Sequence, residues 1–173
     1  SAETRVLART VSMLGSVFQL RLTDRLRESE GVSYSPSAGS AASQVWPDYG
    51  YLAAQIEAPP GKLDAFFAAA QEIASDLASR PISEDELNRA RRPSLESLDR
   101  AREGNAFWLN ALAEIGEDPF RLTSILTQRA DAEVITPQAL QEAAKRFLKP
   151  ATAYRIKVVK GTPIPSSKLG GGK

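Results

Sequence analysis

Apolar residues return every three or four positions through the first quarter-turned stretch of the chain: Val6, Leu7, Val11, Leu14, Val17, Phe18, Leu22 and Leu26. That spacing follows the 3.6-residue period of an α-helix and predicts one from about Glu3 to Arg27, with a single buried face. Gly31 is placed to end it, because glycine enters the left-handed region past a helix end without a steric penalty. The period then changes. Val32 to Ala38, rich in Ser and interrupted by Pro36, reads as a first strand. Tyr49 to Ala58 reads as a second, since Leu52, Ala54 and Ile56 alternate with Tyr51, Ala53 and Gln55. Gly39 to Asp48 between them reads as a hairpin loop. It is too short for a helical crossover, so the strands are expected to pair antiparallel.

Pro59-Pro60-Gly61 breaks the second strand. A helix is expected from about Lys62 to Ser79, with Leu63, Phe66, Phe67, Ala70, Ile73, Ala74 and Leu77 on one side. Ser83-Glu84-Asp85-Glu86 has the form of a capping box. In it the Ser83 side chain accepts from the third helical N–H and the Glu86 carboxylate reaches back. The helix it opens contains Pro93, whose ring is expected to kink or split it. Further helices are read over Asn105 to Ile115, from Asp118-Pro119, and from Thr136-Pro137 as far as Pro150. Tyr154, Ile156 and Val158 alternate with Arg155 and Lys157, which predicts a last strand over Ala153 to Val159. The order of elements gives an α+β fold, an antiparallel sheet with helices packed mainly on one face. Residues 1–160 read as a single domain and residues 161–173, rich in Gly, Pro and Ser, as a tail or linker.

Composition narrows the chemistry. The 173 residues include no His and no Cys, and the formal net charge is +1. Zinc sites draw mainly on Cys and His, so neither a structural nor a catalytic zinc site of the usual kind can be built here. A Ser-His-Asp or Cys-His triad lacks its imidazole. Phosphate-binding glycine loops are missing as well. The run Gly170-Gly171-Gly172 has no helix after it to present N–H groups to an anion. The charge gives no general pull toward nucleic acid or anionic membrane. No stretch reaches the roughly 18 apolar residues of a membrane-spanning helix.

Leu26-Arg27-Glu28-Ser29-Glu30-Gly31-Val32-Ser33-Tyr34-Ser35 reads as L-R-E-x-x-G-x-x-Y-S across a helix end, a turn and a strand. It resembles the signature of the pitrilysin/insulinase-type zinc metallopeptidases, in the non-catalytic half that does not hold the metal. The resemblance continues through Ile82 to Ala90, Asn105 to Trp108, the helix with Thr136, Leu140, Ala143, Ala144, Leu148 and Pro150, and Tyr154 to Val159. It spans about residues 3 to 160. In that family the metal is held by H-x-x-E-H on a related catalytic domain. The resemblance therefore implies no cofactor in this chain, and zinc in a partner catalytic domain of the same precursor or of a partner subunit. It implies that Arg27 and Tyr34 bind substrate, reaching a peptide held at the partner's zinc. A guanidinium and a phenol are hydrogen-bond donors suited to the charge that develops on a scissile carbonyl oxygen. The family's complete domain opens with a strand before its first long helix. Here the expectation is that this strand is missing, which leaves an open sheet edge and a route to self-association. The family's exported bacterial members point toward the periplasm, although nothing in the sequence itself fixes a compartment.

Other readings compete. Arg27 close to a helix C-terminus also complements the helix dipole, and Tyr34 also fits an ordinary strand aromatic. Gly31 is explained by the turn alone. The same fold can serve as a structural or binding module in an assembly without proteolysis. A carboxylate enzyme built on Glu84, Asp85 or Glu86 ranks last, because the capping box already accounts for those residues. The reading makes a direct prediction. After exhaustive dialysis the chain should carry far less than one equivalent of zinc and should not cleave a quenched peptide. Near-stoichiometric zinc, or hydrolysis blocked by a chelator, would contradict it.

Overall fold

The computed structural model describes residues 2–30, 36–42, 49–113, 119–158 and 160–161. Helix α1 (Ala2–Glu30) is followed by strands β1 (Ser37–Ala42) and β2 (Gly50–Gln55). A 3-10 turn over Pro60–Lys62 leads into α2 (Leu63–Ser79) and α3 (Glu84–Glu103). Four shorter helices complete the described order: α4 (Asn105–Ala113), α5 (Pro119–Leu126), α6 (Gln128–Glu133) and α7 (Pro137–Phe147).

The apolar stripe of α1 forms the middle of the core. Leu14, Val17 and Leu22 have no exposed surface. Around them lie Phe66, Ile73 and Leu77 of α2, Leu87 and Ala90 of α3, and Leu140, Ala143 and Ala144 of α7. The α+β reading holds. β1 and β2 pair antiparallel from Ser37 opposite Gln55 to Ala42 opposite Gly50, and β1 packs on α1. On β2 the inward residues are Leu52 and Ala54, as their alternation predicts, while Tyr51, Ala53 and Gln55 face out.

β1 sits very close to α1. A Cβ placed on buried Gly15 would lie 3.2 Å from Gly39 Cα and 3.4 Å from Gly39 C. Glycine inside a helix costs roughly 0.5–1 kcal/mol relative to alanine. Here it lets a strand backbone approach the helix. Gln19 adds a polar contact to this seam, its Oε1 accepting from Ala38 N at 3.2 Å.

Several expectations change. Among the described residues the first strand lies over Ser37–Ala42, so Gly39 to Ala42, which read as hairpin loop, are strand. β1 is Ser-Ala-Gly-Ser-Ala-Ala, and it lacks the β-branched and aromatic residues that mark strands. Its partner strand and the close seat on α1 decide it. Residues 31–35 and 43–48, including Gly31, Trp46 and Pro47, lie outside the described residues. α3 runs unbroken through Pro93. Pro93 is exposed, so water can take the backbone carbonyl that proline leaves without a partner. The Ser83 cap forms, with Ser83 Oγ accepting from Glu86 N at 3.1 Å. The Glu86 carboxylate does not complete the box; it is held by Arg21.

The last strand is also corrected. Residues 153–158 carry no strand assignment, because no strand lies beside them among the described residues. Arg155 donates to Gln71 Oε1 and Lys157 to Asp64 Oδ1, both on α2, and both cations lie over the Phe67 ring. Tyr154, Ile156 and Val158 therefore turn outward, each more than three-quarters exposed.

The Gly15 seam can be tested by urea unfolding. In Gly15→Ala, better helix propensity opposes a displacement of a few tenths of an ångström, so the two effects should nearly cancel. Gly15→Val should lose about 2–3 kcal/mol through overpacking. Wild-type stability in Gly15→Val would mean that β1 is not seated against α1.

Candidate functional site

Arg27 lies in the last turn of α1, exposed. Its neighbours fix that end of the helix. Leu26 is buried. Arg25 donates to Glu72 of α2 at 2.8 Å, and Asp24 accepts from Arg89 of α3 at 3.4 Å. One turn earlier Arg21 forks between two carboxylates, Glu86 of α3 and Asp76 of α2. The hydrogen bonds that Arg21 donates to Glu86 are the largest cause raising the Arg21 pKa above its ordinary value, outweighing the opposing effect of burial. The C-terminal part of α1 is thus pinned to two helices at once. Among the described residues nothing hydrogen-bonds or ion-pairs with the Arg27 side chain. Tyr34 lies outside the described residues, so its distance from Arg27 is not part of this geometry.

A second polar cluster holds the other end of α1. Asp131 of α6 is buried. It accepts from Arg5 Nε at 2.8 Å and from Thr127 Oγ1 at 2.9 Å. The Arg5 hydrogen bond is the main cause that lowers its pKa below the ordinary carboxylate value, against the effect of burial. Arg9, one turn along α1, donates Nη2 to the Ser124 carbonyl and hydroxyl oxygens, each at 3.2 Å. Burial is the largest effect on Arg9 and lowers its pKa, partly offset by the charge of Asp131.

Sequence reasoning singled out Arg27 and missed this cluster. A signal existed. Arg5 and Arg9 are like charges four residues apart on a helix, an unfavourable spacing unless an anion serves both. Nothing local to α1 points to that anion, since Asp131 is more than 120 residues away.

The geometry offers an exposed guanidinium on a helix end held to α2 and α3. Among the described residues no group of three or more acidic side chains could hold a metal ion, and no helix is long and apolar enough to cross a membrane.

Comparison with known proteins gives the family. The family described as the peptidase M16 inactive domain matches residues 4–93, more than half of the chain, and the chain belongs to that family. It is 29% identical over 106 residues to the chloroplastic stromal processing peptidase of Oryza sativa subsp. indica. It is 28% identical over 106 residues to the Arabidopsis thaliana protein of the same description. Each match spans 61% of this chain and only 8% of the relative. Among solved structures, an inactive peptidase domain of a candidate zinc protease from Bordetella parapertussis superposes with a TM-score of 0.65 at 20% identity, covering 95% of this chain and 88% of that one. A candidate zinc protease from Bordetella pertussis Tohama I gives 0.61 at 18% identity, covering 87% of this chain and 81% of that one. At such identities the structures show the fold alone.

The Asp131 cluster predicts a pH signature. A carboxylate whose folded pKa is lowered contributes its full stability above the unfolded value near 3.9 and loses it as pH falls through the folded value. Asp131→Asn should cost about 2 kcal/mol at neutral pH, because Arg5 loses its buried partner. Below about pH 4 the variant and wild type should converge. Guanidinium unfolding at pH 7 and pH 3 measures the gap; an equal gap at both would refute the assignment.

Proposed function

We propose that this chain is the non-catalytic domain of a zinc-dependent endopeptidase. It closes the substrate chamber opposite a catalytic H-x-x-E-H domain, and Arg27 with Tyr34 orients the bound peptide. The observation that carries the reading is Arg27 itself: an exposed cation, on a helix end held by two neighbouring helices, in a member of the inactive-domain family. Zinc in the partner domain supplies the Lewis acid of peptide hydrolysis. The task left to this chain is positioning. The Arg27 guanidinium donates toward a substrate carbonyl, and the Tyr34 hydroxyl donates to the scissile oxygen as negative charge builds there. The arrangement takes residues 1–160 as one domain and residues 161–173 as the connection onward. The outward row of Tyr154, Ile156 and Val158 supports a further strand pairing at this edge of the fold.

The test uses this chain combined with its catalytic domain. Arg27→Ala and Tyr34→Phe should each lower kcat/KM about tenfold to a hundredfold. That is less than the 10² to 10³ typical of a lost oxyanion donor, since the metal carries most of the charge stabilisation. Melting temperatures should stay within a few degrees of wild type, because Arg27 is exposed and Tyr34→Phe removes one hydroxyl. Wild-type rates in both variants would assign these residues to structure and favour a module that only completes the assembly.

A further inference from the structure

The charge count of the Arg5–Arg9–Asp131 cluster does not balance. One carboxylate lies beside two guanidiniums, and it hydrogen-bonds only one of them, Arg5. Arg9 is left with neutral acceptors on Ser124, and its Nε is buried with no acceptor among the described residues. Arg5, Arg21 and Arg25 of the same helix each meet a carboxylate directly. Arg9 is thus a half-buried cation whose charge is compensated only at a distance.

Beside Arg9 a cleft of about 90 Å³ opens between α1, α3 and α6. Arg9, Ser12, Ser94 and Gln128 line its polar side, and Leu95 and Leu98 its apolar side. No acidic residue lines it among the described residues. Ser12 and Gln128 make no side-chain hydrogen bond among those residues, and Ser94 Oγ makes only a long one, 3.4 Å to the Ala90 carbonyl of its own helix. Uncommitted donors therefore surround one positive charge that no carboxylate touches, with aliphatic carbon opposite.

We infer that this cleft binds a small carboxylate through Arg9. A carboxylate carries the single negative charge that balances the cluster, and it accepts from guanidinium, hydroxyl and amide donors together. The space equals that of about three waters, enough for the carboxylate and two or three further carbons. A short alkyl chain suits Leu95 and Leu98; a phosphate would set polar oxygens against them and overbalance the charge. The same chemistry is offered by a free short-chain acid and by the C-terminal carboxylate of a peptide. The inference is independent of the role given to Arg27, which lies at the opposite end of α1, about 27 Å away at 1.5 Å per residue.

The experiment is a titration of ¹⁵N-labelled chain followed at the backbone amides and at the Arg9 Nε–H. Sodium propionate is added to about 50 mM against sodium chloride of equal ionic strength. Saturable shifts confined to the cleft, with a Kd on the order of 1–10 mM, are expected for a ligand of five heavy atoms. Arg9→Gln should weaken binding at least tenfold. Ser94→Asp should do the same with Arg9 intact, because it places a carboxylate of the chain itself in the cleft. A parallel titration compares Ala-Ala with its C-terminal amide. Binding of the free dipeptide but not the amide identifies a peptide terminus as the ligand, whereas binding of propionate alone identifies a free acid. Shifts that do not saturate, that chloride reproduces, or that persist unchanged in Ser94→Asp would overturn the site.

Discussion

Burial of one face of α1 is the constraint on which the other elements depend. The helix has 29 residues, and it touches β1, α2, α3, α6 and α7. Each fully buried Leu or Val on it contributes roughly 1.5–3 kcal/mol relative to an exposed one. Those neighbours rest on the same central stripe, so a change in the tilt of α1 would disturb several interfaces together. Apolar contact alone does not fix where a helix stops along its axis. That is done by the arginines flanking the stripe: Arg5 and Arg9 tie the first turns to α5 and α6, and Arg21 and Arg25 tie the later turns to α2 and α3. Apolar packing sets the face, and ion pairs at both ends set the position.

The same use of arginine recurs away from α1. Arg91 and Arg102 project from α3 and donate to the carbonyls of Ile135 and Ile125. Those carbonyls lie just beyond α6 and within the last turn of α5, where a helix cannot satisfy its own acceptors. Short helices of eight and six residues are weak alone, and they are held here by groups reaching in from a longer neighbour. Trp108 completes this corner by donating Nε1 to the Arg102 carbonyl at 2.8 Å. Arg91 and Arg102 are thus spent on architecture.

Membership of the inactive-domain family and the missing zinc ligands fit one physical picture. Under the proposed function, a domain without His or Cys would serve catalysis through donors held where charge develops. The ion pairs of Arg21 and Arg25 to α2 and α3 hold the part of α1 that leads to Arg27. The motif that drew attention to Arg27 was legible because it combines a helix end, a turn glycine and a strand aromatic at fixed spacing. The Arg9 cleft was not legible, because its walls come from three helices, α1, α3 and α6, that are far apart in sequence.

Wherever a local rule governed, the sequence by itself was enough. The periodicities fixed α1, α2 and α7; Ser83 and Thr136 marked helix starts, each accepting a backbone N–H as a cap; and the alternation in β2 named its inner face. The missing His and Cys settled what chemistry this chain cannot perform. Tertiary structure decided where local rules conflicted with a longer-range partner. Glu86 left its capping role for Arg21, since a paired guanidinium outweighs one exposed backbone N–H. A Ser-Ala-Gly segment of poor β propensity became β1 because β2 and Gly15 offered it a seat. Residues 153–158 have the right alternation for a strand, but alternation specifies only which side chains share a face. A strand also needs a neighbouring backbone to pair with, and that is a property of the assembled fold.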